Sequence, residues 1–229
     1  IYIFEASSHA LEQNRLRKYP VDIAAITNIS RDHLDYHKNL SEYKKAKIKL
    51  FTKHLSNKGH AIINSRIKNI LTLKRNLKNK KININYFGKN SIVFKKKQNF
   101  ISFIVNKKIY KINELRLNTD IELENLECAI ACCLALKINQ KKIISILKKI
   151  TNPPGRLQTI KYKKKKSKIL IDYAHTPDAL KRILKSTTLK KRKPVLLFGC
   201  GGDRDKRKRI TMGKIANKYA SKVYITDDN

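Results

Sequence analysis

Apolar and polar residues alternate along this chain in two periods, and the switches between them mark out its elements. IYIFE, residues 1–5, reads as a buried strand, and SSHALEQNRLRK after it offers a serine start followed by helix formers. VDIAAITNI is a second short apolar strand. In NLSEYKKAKIKLFTKHL the residues Leu40, Tyr43, Ala46 and Leu50 recur at helical spacing, with Ser41 as the expected N-cap. GHAIINS returns to a strand pattern. Residues 82–111, including SIVFKKKQNFISFIVNKKIY, alternate as expected of an antiparallel ribbon at the edge of a sheet. A helix around Leu126–Leu136 follows, and a second runs to about Ile150.

TNPPGR breaks the pattern with two prolines and a glycine, which places a domain boundary there, dividing the chain into 1–152 and 153–229. Beyond it the alternation restarts. Strand SKILIDYA, a helix from Pro177 to about Ser186, strand KPVLLFG, the turn CGGDRDKRKR, helix ITMGKIANKYA and strand KVYITDD succeed one another. The fold class is therefore α/β, and the second half reads as a parallel, doubly wound sheet with its ligands beyond the carboxyl ends of the strands. The chain opens within an apolar strand and stops just after another, so further residues are expected on both sides.

At 229 residues and 41% hydrophobic content the chain can bury a core. Its net charge of +36, from 53 Lys+Arg against 17 Asp+Glu, would fit a polyanion partner. The basic residues are mostly lysines interleaved with Ile and Asn throughout, as AT-rich codon usage produces, and they gather on no single motif. A basic nucleic-acid-binding protein is the alternative reading that the charge supports, but no nucleic-acid partner is expected. Cys128, Cys132 and Cys133 lie in the apolar run ECAIACCLALKI, where i, i+4 spacing puts the first two on one helical face as small core residues. Four cysteines so spaced fit a reducing cytoplasm better than a disulfide scaffold. No run reaches the roughly 20 apolar residues of a membrane span.

SRDHLDYHKNLSEYKKAK packs Asp32, His33, Asp35 and His37 into six positions before its lysines. On residue type alone these side chains can ligate a metal such as zinc, cap a helix, or face water. Ser7 by itself is a helix cap and Arg15 a surface charge. Arg156 is a solvated Arg after a turn, and His175 is open to a structural role.

The blocks EASSHALEQNRL, TNISRDHLDYHKNLSEYKKAK, PPGR, IDYAHTPDAL, FGCGGDRDKRKR and TDDN occur in an order and spacing that closely resemble the Mur ligases, along the whole chain. Within that family the likeness is greatest to the enzymes that add the third amino acid of the peptidoglycan stem. The resemblance implies part of a central ATPase-type domain at 1–152 and part of a Rossmann-like C-terminal domain at 153–229. It also implies a cytoplasmic, monomeric, ATP-dependent amide ligase with no membrane partner. Such an enzyme phosphorylates a carboxylate of UDP-N-acetylmuramoyl-L-alanyl-D-glutamate, and the amine of a diamino acid attacks the acyl phosphate. General similarity favours meso-diaminopimelate over L-lysine.

The resemblance also assigns roles to residues. ATP and Mg²⁺ are the implied cofactors, with Glu5 on one magnesium and His33 on a second. Lys47 matches the lysine that becomes carboxylated and so turns into a metal ligand; with His33 it forms the implied catalytic pair. Asp32, Asp35 and His37 are then structural, as caps or solvated residues. Ser7, Gln13 and Arg15 match contacts to the UDP-linked substrate. Arg156, Asp172, His175 and Asn125 match positions near the nucleotide. Arg204 matches the arginine that holds the carboxylate of the incoming amino acid, and Asp228 and Asn229 match the first half of an Asp-Asn-Pro-Arg recognition motif.

Two departures stand out. The family's P-loop and its N-terminal uridine-binding domain lie outside these residues, so the chain by itself is not expected to catalyse the reaction. Where the family has Gly-x-x-Asn-x-x-Asn, this chain has Thr119, Glu122 and Asn125, which predicts a weaker seat for adenine.

Overall fold

The structure, a computed structural model, describes the chain apart from residues 18, 30–35, 68–70, 79, 90, 97–100, 114, 118, 162–167, 189–191, 202–206 and 228–229. The chain divides into two compact units, one of Ile1–Leu115 with Leu123–Lys148, the other of Arg116–Glu122 with Lys149–Asn229.

The first unit is built on three parallel strands in the order β1 (Val21–Ile26), β2 (Leu55–Asn64) and β3 (Asn83–Phe87). Two crossovers connect them, α2 (Leu40–Lys49) with a π turn at Leu50–His54, and α3 (Leu71–Leu77). Ala61, Ile62 and Ile63 of β2 are all fully buried. A central parallel strand is covered on both faces, so its apolar residues run on without alternating. One layer of the core joins Ala24, Ile26, Phe51, Leu55, Ala61, Ile63, Leu73 and Leu77. The π turn puts carbonyls out of helical register, and Lys80 Nζ donates to two of them, those of Phe51 and Thr52.

Four expectations need correction here. Residues 1–5 form no strand: Ile1, Tyr2 and Ile3 are more than 90% exposed, and apolar residues make a strand only where a neighbouring strand pairs with their backbone. The cap of α2 is Asn39, two residues before Ser41. Its Oδ1 accepts from Glu42 N at 3.0 Å, while the Glu42 carboxylate reaches back to Lys38 N. The alternating stretch 82–111 splits, because Asn83–Phe87 is taken into the parallel sheet as β3. Only β4 (Val93–Lys96), β5 (Ile101–Val105) and β6 (Lys108–Ile112) form the antiparallel ribbon, as a sheet of their own. The two-residue turn between β5 and β6 has both central residues, Asn106 and Lys107, at positive φ (48° and 63°), which matches the right-handed twist of the strands.

Helix α4 (Asp120–Ala135) begins in the second unit and continues in the first, where α5 (Gln140–Ile146) follows it. Glu127 of α4 is 1% exposed and paired with Arg66. Arg66 grips both its oxygens at 2.5 and 3.1 Å, and Phe94 N of β4 donates to Oε1 at 2.8 Å. Beside it, Asn64 Nδ2 donates to Thr27 O and Glu124 Oε1, and Asn64 Oδ1 accepts from Arg66 N. Gly88 closes the β3–β4 turn at φ +103°; a Cβ there would sit 2.6 Å from Ser65 Oγ and 2.9 Å from the Arg66 guanidinium, so a side chain would displace the pair. Cys128 faces the core on the same helix, and a hydrogen bond with Cys132, with burial, pushes its thiol pKa up, which keeps it a neutral packing residue.

The second unit holds a β-α-β turn of parallel strands, β9 (Val195–Phe198) and β10 (Lys222–Ile225), joined by α7 (Arg207–Tyr219). α6 (Pro177–Thr187) packs on α7 through Leu180, Leu184 and Met212, with Leu196 and Phe198 of β9 against them. Thr176 caps α6 and Pro177 occupies its first turn, where a missing N–H costs nothing. The expected parallel sheet is present as β9–β10. Here is the fourth correction: the strand in SKILIDYA, β8 (Lys168–Ile171), pairs antiparallel with β7 (Gln158–Lys161), a strand the sequence reading left out.

Two outcomes are expected. Arg66→Met strands a buried carboxylate and should lower the unfolding free energy by about 3 kcal/mol, read as a lower denaturant midpoint at unchanged slope. His54 is buried, and desolvation first, then Lys53, holds its pKa below the usual 6.5. The unfolded chain therefore takes up a proton before the folded one does. Stability should be fully present above pH 6.5 and fall by up to about 1.4 kcal/mol per pH unit between 6.5 and the lower folded value, with His54→Phe flattening that fall.

Candidate functional site

In the first unit the short helix α1 (Ser8–Glu12) meets α2. Ser7 is extended and caps α1, its Oγ accepting from Ala10 N at 3.1 Å. After α1 the backbone turns through left-handed residues at Asn14 (φ 54°) and Arg17 (φ 47°). That turn brings the exposed side chains of Gln13 and Arg15 together: Arg15 Nε donates to Gln13 Oε1 at 2.8 Å, and Gln13 Nε2 donates to Tyr36 Oη at 3.3 Å. The Tyr36 ring lies 4.1 Å from that of His9 and 5.0 Å from that of His37, and His37 in turn is 5.5 Å from Tyr43. Lys47, four residues on along α2, holds its ammonium 5.0 Å over the Tyr43 ring. Glu12 and Lys49 join the two helices at 2.7 Å, and that hydrogen bond keeps the Glu12 carboxyl below its usual range.

Ser7, Gln13, Arg15 and Lys47 thus sit on one α1–α2 assembly. His37 is 4% exposed inside it, so the expectation of a cap or solvated residue is corrected: three rings cover the imidazole. His33, with Asp32 and Asp35, lies outside the described residues. Glu5 is exposed on the irregular segment before α1.

Glu5 offers a hard oxygen donor open to solvent, which fits Mg²⁺, an ion that takes one or two carboxylates and fills its remaining positions with water and phosphate. Lys47 as an ammonium repels a cation; only a carboxylated Lys47 would add an oxygen donor. Among the described residues, no group of three or more His, Cys, Asp or Glu is arranged to hold a metal.

In the second unit the segments 155–157 and 172–176 come together. Gly155 takes φ +70° and Leu157 φ +46°, and Leu157 N donates to Asp172 Oδ2 at 2.8 Å. This fastens the turn that presents Arg156, whose guanidinium stacks 4.8 Å over the Tyr173 ring. His175 packs edge-on to Tyr173 at 5.2 Å, with Nδ1 3.1 Å from the Tyr173 carbonyl. Lys208 Nζ donates to the His175 carbonyl at 3.1 Å. Arg156, Asp172 and His175 therefore share one cluster, with Tyr173 between them. Arg204, Asp228 and Asn229 lie outside the described residues, and Asn125 is exposed on α4.

The departure at 119–122 has a local explanation. Glu122 N donates to Thr119 Oγ1 at 3.3 Å, and Thr119 N donates to Glu122 Oε2 at 2.7 Å. This is a reciprocal capping box at the start of α4, and Asn152 Nδ2 adds a bond to the other Glu122 oxygen. The Thr-x-x-Glu spacing carries that signal in the sequence, and the sequence reading passed over it. Tyr43 was read as a core position, and its i, i+4 spacing to Lys47 was legible. Nothing local pointed to Tyr36, Tyr173 or Lys208.

A mixed α/β chain with a parallel sheet and crossover helices, followed by a second β-α-β unit, matches known families over nearly all of its length. The profile of the Mur ligase middle domain matches residues 1–133, and that of the Mur ligase glutamate ligase domain matches residues 155–229. The chain belongs to the Mur ligase family. It is 42% identical over 238 residues to the UDP-N-acetylmuramoyl-L-alanyl-D-glutamate--2,6-diaminopimelate ligase of Rickettsia typhi, covering 99% of this chain and 47% of that protein. The enzyme of the same name from Rickettsia prowazekii is also 42% identical, with 99% and 48% covered. A solved structure of a ligase of this name superposes with a TM-score of 0.62 at 31% identity, over 98% of this chain and 47% of the other. The chain spans about half the length of the curated relatives it matches.

The fastening at Asp172 can be tested by itself. Asp172→Ala should free the Leu157 amide at a cost of about 1–2 kcal/mol, seen as faster hydrogen exchange at Leu157 while amides of β9 and β10 keep their protection.

Proposed function

We propose that the complete gene product is an ATP-dependent, magnesium-requiring amide ligase of peptidoglycan precursor synthesis, working in the cytoplasm as a monomer. It joins a diamino acid, meso-diaminopimelate, to UDP-N-acetylmuramoyl-L-alanyl-D-glutamate. The observation that carries this reading is the α1–α2 assembly, in which an Arg–Gln pair suited to an anionic substrate and the half-buried Lys47 belong to one packed group. Domain limits of 1–152 and 153–229 go with it.

The chemistry asks for positioning and charge neutralisation more than for covalent help. Arg15, its Nε occupied by Gln13, keeps the terminal nitrogens of its fork for a phosphate or carboxylate of the UDP-linked substrate. Ser7 lends its hydroxyl beside them. Mg²⁺, when bound, would neutralise phosphate oxygens, with Glu5, His33 and carboxylated Lys47 as its ligands. In the second unit Arg156 supplies positive charge to the ATP phosphates, while Asp172 and His175 line the nucleotide's sugar side; the resemblance gives Asn125, a residue of the first unit, to the base. Arg204, Asp228 and Asn229 receive the diamino acid. The attacking amine must lose a proton as the amide forms and phosphate leaves.

Thr119 and Glu122 are committed to capping α4, so Asn125 alone represents the family's asparagine pair toward adenine. This goes with a weak nucleotide site.

Replacing Lys47 with Ala in the complete gene product is expected to cut ligation by at least about 10³-fold, measured as phosphate released in the presence of both substrates. Turnover equal to wild type would remove Lys47 from the mechanism. Parallel assays with meso-diaminopimelate and L-lysine decide the third amino acid.

A further inference from the structure

The α1–α2 assembly contains a connected row of side chains, in which Tyr36, His37 and Tyr43 have no role above. It begins at Arg15, passes through Gln13 to the hydroxyl of Tyr36, and continues through rings in tilted and edge-on contact. Tyr36 contacts His9 and His37 at 4.1 and 5.0 Å, His37 contacts Tyr43 at 5.5 Å, and Tyr43 carries the Lys47 ammonium at 5.0 Å. The row's middle is rigid: His37 and Tyr43 are 4% and 3% exposed. Its outer end is open, with Tyr36 42% exposed and Gln13 and Arg15 at the surface. A hydroxyl at the rim of a buried ring cluster is an anchor point for flexible side chains that would otherwise lose rotamer entropy on binding.

We propose that Tyr36 is a positioning residue for the anionic UDP-linked substrate. Its ring is fixed by His9 and His37, and its hydroxyl holds the Gln13 amide. Gln13 Oε1 then takes the Arg15 Nε–H and aims the rest of the fork outward. The same row sets the distance between that fork and Lys47. This inference rests on Gln13 and Arg15 being substrate contacts and adds the residue that orients them.

The test uses the complete gene product with Tyr36→Phe, which keeps the ring and removes the hydroxyl, and Tyr36→Leu, which removes both. Kinetics are measured against each substrate, and binding of UDP-N-acetylmuramoyl-L-alanyl-D-glutamate is followed by calorimetry. Tyr36→Phe should raise KM and Kd for this substrate about fivefold, the equivalent of one hydrogen bond, with kcat and the KM for ATP unchanged. Tyr36→Leu should raise them further and also lower kcat, because Lys47 loses its register. An unchanged Kd in Tyr36→Phe, or an equal rise in KM for all three substrates, would overturn the proposal. Thermal midpoints show whether both variants fold; a Tyr36→Phe variant that unfolds at the assay temperature means that the hydroxyl supports the fold and also overturns it. Separately, Arg15→Ala binding the UDP-linked substrate as wild type does would overturn the underlying reading, and this inference with it.

Discussion

A carboxylate that is 1% exposed must be met by a counter-charge, and the first unit is arranged around the way Glu127 meets its own. Arg66 comes from the end of the central strand, the Phe94 amide from the antiparallel ribbon, and Glu127 itself from α4, so one buried group ties together three layers that the chain order keeps apart. Glycine at position 88 suits its positive φ and the space there, since a Cβ would come within 3 Å of the same guanidinium. The apolar core of β2 supplies most of the driving force, being non-directional. Glu127 and Arg66 decide which surfaces meet, since an ion pair is satisfied in only one geometry.

In the first unit several candidate side chains sit on the α1–α2 assembly. α1 is only one and a half turns long, too short to be stable alone. It is kept by the Ser7 cap, by Glu12–Lys49 and by the rings around His37. In the second unit the equivalent fixing is done by backbone: a left-handed turn at Gly155–Leu157 and the Asp172 carboxylate that fastens it. Each leaves a cationic side chain at the surface with a defined partner, Arg15 on Gln13 and Arg156 over Tyr173.

Several departures from the sequence reading share one cause. Ile1–Glu5 has the composition of a strand, yet no strand forms, because strand formation depends on a partner and not on the segment's own residues. The stretch 82–111 has one uniform alternation but is divided between two sheets, since alternation says which side is apolar and not which neighbour it will pair with. Asn39 and Ser41 are both good caps; the reciprocal Glu42–Lys38 bond selects the first. His37 shows the same limit from the other side: a polar residue in a polar stretch is buried because three rings converge on it from α1, α2 and the loop between β1 and α2.

Sequence by itself determined the α/β class, the helices and strands around β1, β2, α4, α6 and α7, and the family, because these rest on periodicity, caps and ordered motif blocks written locally in the chain. It also marked Ser7, Gln13, Arg15, Lys47, Arg156, Asp172 and His175 through the resemblance. Only the tertiary structure decided that Gln13, Tyr36, His37, Tyr43 and Lys47 form one connected row, that Tyr173 stands between Arg156 and His175, and that Thr119 and Glu122 serve a helix cap. Contacts between residues far apart in sequence are set by packing and by the pairing of buried polar groups, and the pattern of any one segment does not contain them.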